Sequence, residues 1–225
     1  MRSGVLKSPF AGPSIWTQYK AGEAMKSLLT KVLLIVLLAL VVSAVGHADT
    51  LTFDDLNGGV VAVPAGYHGL NWSNFDSINP ASVLLCPSGY CNGVVSSPNV
   101  IFDPFGSPAS FSSGADQFAF NSAFFTASWN NGLNLNVQGF DDGVLVDNVN
   151  LTLNTSGPLF VTFNWSGIDT VVMTPSGGVN AGFNGMGTNF VIDNMTINAV
   201  PEPASLTLLG TALVSLLGFA RRRLS

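Results

Sequence analysis

Leu159-Phe160-Val161-Thr162-Phe163-Asn164-Trp165 places Leu159, Val161, Phe163 and Trp165 on one face and mostly polar groups on the other. A period of two marks a strand with one face on a core, because successive side chains of an extended chain point to opposite sides. The same alternation runs through Leu133-Asn134-Leu135-Asn136-Val137 and through Leu145 to Leu153. Further strands are expected at Thr50 to Phe53, Gly69 to Phe75, Val100 to Phe102, Gln117 to Thr126, Asp169 to Thr174 and Asn189 to Ile197. Between them fall turn signals: Asn57-Gly58-Gly59, Asn131-Gly132, Asp142-Gly143, Ser156-Gly157-Pro158 and Pro175-Ser176-Gly177-Gly178. No amphipathic helix and no internal repeat interrupts the pattern. Many short strands at this spacing predict an all-β domain, an antiparallel β-sandwich of jelly-roll type.

Charge separates this domain from its flanks. All eight Lys and Arg residues lie at Lys31 or earlier, or at Arg221 or later, while residues 49–199 hold eleven Asp, no Glu and one histidine, His68. A domain without a cation cannot displace counterions from phosphates, so nucleic acid is excluded as a partner, and a polyanion is disfavoured.

The positive mean hydropathy of +0.42 comes from two blocks, Val32 to Val45 and Ala204 to Ala220. Around the first, Met25-Lys26-Ser27-Leu28-Leu29-Thr30-Lys31 is a short basic leader, and Gly46-His47-Ala48 supplies small residues at a cleavage site. Residues 25–48 therefore read as a signal peptide with a helical apolar core, making Asp49 the first mature residue. The alternative is an uncleaved N-terminal anchor, for which the apolar run is short. Residues 1–24 precede a serviceable start methionine and read as a mis-assigned start or a long leader.

At the other end, Val200-Pro201-Glu202-Pro203 is followed by seventeen mostly apolar residues and then Arg221-Arg222-Arg223. The apolar stretch is just long enough for a transmembrane helix, with the arginines on the cytoplasmic side. Residues 200–225 resemble the PEP-CTERM sorting signal of Gram-negative bacteria, whose features are Pro201, Glu202 and Pro203, a hydrophobic helix, and the basic cluster Arg221, Arg222 and Arg223. That resemblance implies Sec-dependent export, transient anchoring in the inner membrane, cleavage by an exosortase, and delivery to the cell surface or extracellular matrix. A plain C-terminal anchor is the alternative. Either way residues 49–199 work outside the inner membrane.

Cys86 and Cys91 enclose only Pro87-Ser88-Gly89-Tyr90. An oxidising exterior favours a disulfide there, pinning a turn. Two Cys and one distant His lack zinc spacing.

Catalysis by general acid–base or nucleophilic groups finds little to work with. The domain has no Lys, Arg or Glu, a lone His68, and no Gly-x-Ser-x-Gly elbow. Paired aspartates leave a glycan hydrolase as the one catalytic alternative.

The opening Leu51-Thr52-Phe53-Asp54-Asp55-Leu56 and the close Phe190-Val191-Ile192-Asp193-Asn194-Met195-Thr196-Ile197 resemble the first and last strands of extracellular jelly-roll modules, carbohydrate-binding modules among them. By that analogy Asp54, Asp55 and Asp193 are candidates for a structural calcium, which takes six to eight hard oxygens. The competing reading is that each Asp ends a strand or caps a turn. Asp141-Asp142-Gly143 reads as a hairpin turn.

Tyr67, Trp72 and Trp129 are candidates for a sugar-stacking platform, with Asn side chains to pair hydroxyls. Trp165 instead sits on the apolar face of its strand, where Trp is core filler. The expected function is that of a non-catalytic surface or exopolysaccharide-matrix protein that binds carbohydrate. The alternatives are a secreted hydrolase using Asp carboxylates and a calcium-stabilised structural module without a ligand.

Overall fold

The computed structural model describes residues 48–114 and 116–198, together with residues 19, 20, 22, 23, 25–27, 30, 31 and 210. The described residues between 19 and 31 are helical, with an exposed Lys26–Glu23 ion pair at 2.9 Å. Most of the expected signal peptide lies outside the described residues. So do the expected transmembrane helix, apart from Gly210, and the sorting residues Pro201, Glu202, Pro203, Arg221, Arg222 and Arg223. Among the described residues no helix is long and apolar enough to cross a membrane.

Residues 48–198 form the antiparallel β-sandwich that the alternation predicts. One sheet runs β11 (Leu159–Ile168), β7 (Phe118–Ala127), β14 (Phe190–Asn198), β5 (Val100–Phe102), β4 (Asp76–Ile78) and β2 (Val61–Ala62). In that sheet β14 is flanked on one side by β5 at its start and by β1 (Ala48–Leu51) at its end. The other sheet runs β10 (Val144–Leu153), β9 (Leu133–Asp141), β12 (Thr170–Ser176), β6 (Ala109–Ser112) and β3 (Asn71–Ser73). A separate ribbon pairs β8 (Asn130–Asn131) with β13 (Val179–Asn180). The chain crosses repeatedly between sheets, as in a jelly roll.

Each strand's composition explains its place. Along β9, Leu133, Leu135 and Val137 enter the core while Asn134, Asn136 and Gln138 face outward, the period of a half-buried strand. On β10 the outward Asn148 and Asn150 both accept hydrogen bonds from the Asn136 amide, at 2.7 and 2.9 Å. The Asp141-Asp142-Gly143 step is a hairpin turn, with Asp142 and Gly143 at φ 48° and 76°. Phe53, Phe111, Phe120, Phe125 and Phe190 are fully buried between the sheets. Each such ring contributes about 1.5–3 kcal/mol through removal from water. Trp165 packs against this core beside Phe120 and Phe163, as its strand position requires.

β14 is buried on both faces. Phe190 and Ile192 enter the main core, while Val191 joins a second cluster with Ile78, Tyr90, Val100 and Phe102. Residues 79–99, the long connection from β4 to β5, roof that second cluster. The connection carries a one-turn helix, α1 (Gly89–Asn92), whose N-cap Ser88 accepts the Tyr90 N–H through its hydroxyl. Gly89 is required at the contact, because a Cβ there would stand 1.8 Å from the Ala127 carbonyl oxygen of β7.

The register fixes two poles. Ala48 lies opposite Asn198, and Asn198 opposite Ala119, so the chain arrives from the leader and departs toward residue 199 at one pole. Phe190 and Ala127 pair at the other. Nine residues of β14 separate them, about 30 Å at the rise of an extended strand.

Candidate functional site

At the pole away from Asn198, the end of β7 delivers Trp129 to the surface. A cavity of about 220 Å³ opens there, lined by Leu84, Leu85, Cys86, Pro87, Trp129, Gly182, Phe183 and Asn184. Two loops make its walls. The first is the roof segment, where Cys86 and Cys91 form the expected disulfide with a Cα–Cα distance of 5.7 Å. The second, residues 181–187, is tied to Trp129 by the Ala181 N–H, donated to the Trp129 carbonyl at 2.8 Å. It is closed on itself by Asn180, which accepts from the Gly182 N–H and donates to the Gly185 carbonyl, each at 2.8 Å. Gly185 lies flat against the indole, where a Cβ would come within 2.5 Å of the ring.

Tyr90 braces Trp129 edge-on, ring centroids 5.3 Å apart. At the lip, Leu84 is 89% exposed and held at φ 58°, a left-handed backbone that a branched residue adopts only under constraint.

No charged side chain lines the cavity. Behind it, Asp103 is fully buried; its Oδ1 accepts the Phe190 N–H at 2.6 Å, and its Oδ2 has no partner. Burial raises this carboxyl to about 8, so it carries a proton at neutral pH, and burial likewise pushes the Tyr90 hydroxyl far above its ordinary value. The ground behind the cavity is therefore neutral at pH 7.

The other two aromatic candidates sit elsewhere. Tyr67 and Trp72 pack together at the pole of Asn198, ring centroids 6.2 Å apart. Trp72 meets Phe53, Phe75 and Phe111, and donates its indole N–H to the Tyr67 carbonyl at 3.0 Å. Tyr67 donates its hydroxyl to Asp55 at 2.7 Å. The three aromatics thus do not share one platform, and only Trp129 opens onto the cavity. Leu84, Leu85, Phe183 and Asn184 escaped the sequence reading because they lie in loops without periodicity. The cysteine pair inside a long connection was the one signal of a built wall.

The aspartates proposed for calcium are occupied by protein donors. Asp193 Oδ2 accepts the Val95 and Ser96 N–H groups at 2.6 and 2.9 Å, and Oδ1 accepts the Asn194 N–H at 2.7 Å. Asp54 accepts the Asn99 N–H at 3.0 Å. Burial raises Asp193 to about 6, with the nearby Asp54 adding to the shift. Among the described residues no three His, Cys, Asp or Glu side chains stand close enough to hold a metal ion. Asp193 thus accepts through both of its oxygens, whereas Asp54 and Asp55 each accept through one. His68 is likewise engaged, its Nδ1 lying 2.5 Å from Asp49 Oδ2.

Comparison with known proteins assigns the C-terminal segment. Residues 199–223 match the family described as the PEP-CTERM protein-sorting motif. The chain carries a PEP-CTERM sorting motif. The motif marks an exported, envelope-associated protein and implies processing by an exosortase in the export pathway. It begins directly after β14, one residue beyond Asn198. A search of curated proteins finds no match. Among solved structures, the chain is similar to the CBM22-1 xylan-binding domain from Paenibacillus barcinonensis Xyn10C, with 8% identity over 71% of this chain and 98% of that one, TM-score 0.39. It is also similar to CBM51 from Clostridium perfringens GH95 in complex with methyl-galactose, with 9% identity over 67% and 100%, TM-score 0.33. TmCBM61 in complex with β-1,4-galactotriose aligns at 8% identity over 58% and 86%, TM-score 0.33.

Proposed function

We propose that this is a non-catalytic carbohydrate-binding protein of the cell surface or extracellular matrix, holding an uncharged sugar unit in the Trp129 cavity. The observation that carries this reading is a disulfide-walled cavity with an indole, an Asn side chain and no charge, set at the pole opposite Asn198. An indole offers its apolar surface to the C–H groups of a pyranose, and the Asn184 amide both donates to and accepts from hydroxyls. The neutral lining selects against uronates and sulfated sugars, and eleven aspartates with no cation in residues 49–199 add to that discrimination.

Retention of the exported protein on a panel of neutral and acidic polysaccharides tests the reading. The expected result is retention on a neutral polymer, weakened about tenfold or more by Trp129→Ala and Asn184→Ala, and little affected by Trp72→Ala. Retention by none of the panel, or retention indifferent to Trp129→Ala, would overturn it.

A further inference from the structure

The two flanks of the sandwich end differently. One flank finishes in β2 and β3, only two and three residues long. The other finishes in β10 and β11, ten residues each, joined through residues 154–158 and lying close to one another. An edge strand presents a row of unpaired N–H and C=O groups, and proteins ordinarily blunt it by shortening it or by adding charge. Here the first device is used on one flank only, and the second hardly at all, because Asp147 is the sole charged residue of β10 and β11.

Bulges limit how much of the long edge is open. In β11 the register shifts near Asn164 and Gly167, at φ 53° and 71°, whereas Leu159–Thr162 pairs without interruption with Phe125–Ser122 of β7. In β10 the shift falls between Leu145 and Asp147, and Asp147–Leu153 runs on evenly. The even stretches of both strands thus lie toward the cavity pole. On the open part of β11, Leu159 is 41% and Phe160 54% exposed, with Phe160 resting on Phe124 at 4.7 Å.

We propose that this flank docks a second copy of the chain, β11 pairing antiparallel with its twofold mate through Leu159–Val161, with Phe160 facing its own copy, so that the seven-stranded sheets of two protomers become one. Unpaired backbone groups in a row call for a strand, and an uncharged edge calls for an uncharged one. The chain's own β11 satisfies both. A twofold axis at Phe160 sets Leu159–Val161 against itself, so no carboxylate meets a carboxylate there although the domain holds eleven. The same operation brings β10 toward β10 of the mate and covers the exposed Leu159 and Phe160 side chains.

Sedimentation velocity of the exported protein over a range of concentrations tests the pairing together with disulfide capture. Phe160→Cys, Val161→Cys and Thr162→Cys, made one at a time, are expected to give a disulfide-linked dimer in at least one case, while Ser73→Cys on the opposite flank gives none. Phe160→Lys should raise the dimer dissociation constant about tenfold or more, because like charges then face each other across the axis. A protein that stays monomeric at every concentration overturns the proposal. So do association unchanged by Phe160→Lys and failure of all three β11 cysteines to cross-link.

Discussion

Ala48 of β1 lies directly across from Asn198 of β14, so the first described residue of the domain and the last residue before the sorting motif are strand neighbours. The pairing continues to Leu51 opposite Met195, and both of these side chains are fully buried. Folding therefore fastens the strand that leads to the tail on two sides, by β7 and by β1. Leu51→Ala removes the buried anchor of β1. It is expected to destabilise the domain by about 2–5 kcal/mol, as core Leu truncations do. Urea denaturation of the exported protein measures this, and a loss below about 1 kcal/mol would show that β1 is not held by its core contact.

Asp103 and Asp193 predict an unusual dependence on pH. Both have folded-state values raised by burial, to about 8 and about 6, above an ordinary carboxyl near 4. The folded protein then binds more protons than the unfolded chain between those limits, and stability falls as pH rises. The contribution is fully present below about pH 4; the Asp193 part fades by about 6 and the Asp103 part through about 8. The expected slope is on the order of 1 kcal/mol per pH unit between pH 6 and 8. Asp103→Asn keeps an acceptor for the Phe190 N–H and replaces the carboxyl proton with an amide donor, so it should flatten that slope. Denaturant melts at a series of pH values decide, and wild-type stability rising from pH 6 to 8 would contradict the assignment.

The fold was legible where alternation was strong. β9, β10 and β11 declare themselves because one face of each is apolar and the other polar, and their bounds shift by only a few residues between sequence and structure. β4 and β6 were not legible: Asp76–Ile78 and Ala109–Ser112 are too short and too mixed to show a period. The site was legible only in part. Trp129 and the Cys86–Cys91 pair stand out by residue type. The meeting of residues 84–87 with residues 182–184 is made by tertiary packing and leaves no local trace. Asp103 gave no signal either, because Phe102-Asp103-Pro104 reads as an ordinary turn; its burial comes from the crossing of β14 and the roof segment.

Calcium was suggested by the aspartates at the first and last strands, and the hydrogen bonds of Asp193 make a different prediction. Its two oxygens accept the Val95, Ser96 and Asn194 N–H groups, so a carboxylate staple fastens the roof segment to β14. Chelation by EDTA, or added calcium, should leave the thermal midpoint unchanged. Asp193→Ala should lower stability by about 2–4 kcal/mol by stranding those donors. A midpoint that drops on chelation would restore the calcium reading.

Gly185 offers a test of the cavity that leaves its chemistry in place. Any side chain at this position must displace either the 181–187 loop or the indole of Trp129, since a Cβ would sit 2.5 Å from the ring. Gly185→Ala is expected to weaken glycan retention about as much as Trp129→Ala and to shift Trp129 fluorescence, with the core melt nearly intact. Gly182, whose Cβ position meets nothing within 4 Å, is the matched control only for space, because its φ of 88° strains any substitution there. Gly157 is open on both counts, so Gly157→Ala should leave retention unchanged. Equal effects of Gly185→Ala and Gly157→Ala would show that the contact between the 181–187 loop and the indole does not shape the cavity.

The Cys86–Cys91 bridge should separate stability from binding. It closes a ring of six residues, and so short a loop constrains little of the unfolded chain, about 2 kcal/mol in the chain-entropy account. Its position matters more than its length. Cys86 stands in the cavity wall, and Cys91 lies on α1, whose Tyr90 braces Trp129. Opening the bridge frees Leu84–Pro87 to move away from the indole while the roof stays anchored by Asp193 and by Gly89 against β7. Replacing both cysteines by serine is therefore expected to cost about 2 kcal/mol in a denaturant melt and to abolish most retention on the neutral polysaccharide. A double variant that loses stability but binds as before would mean that the wall does not need the bridge, and that the cavity is shaped by the 181–187 loop alone.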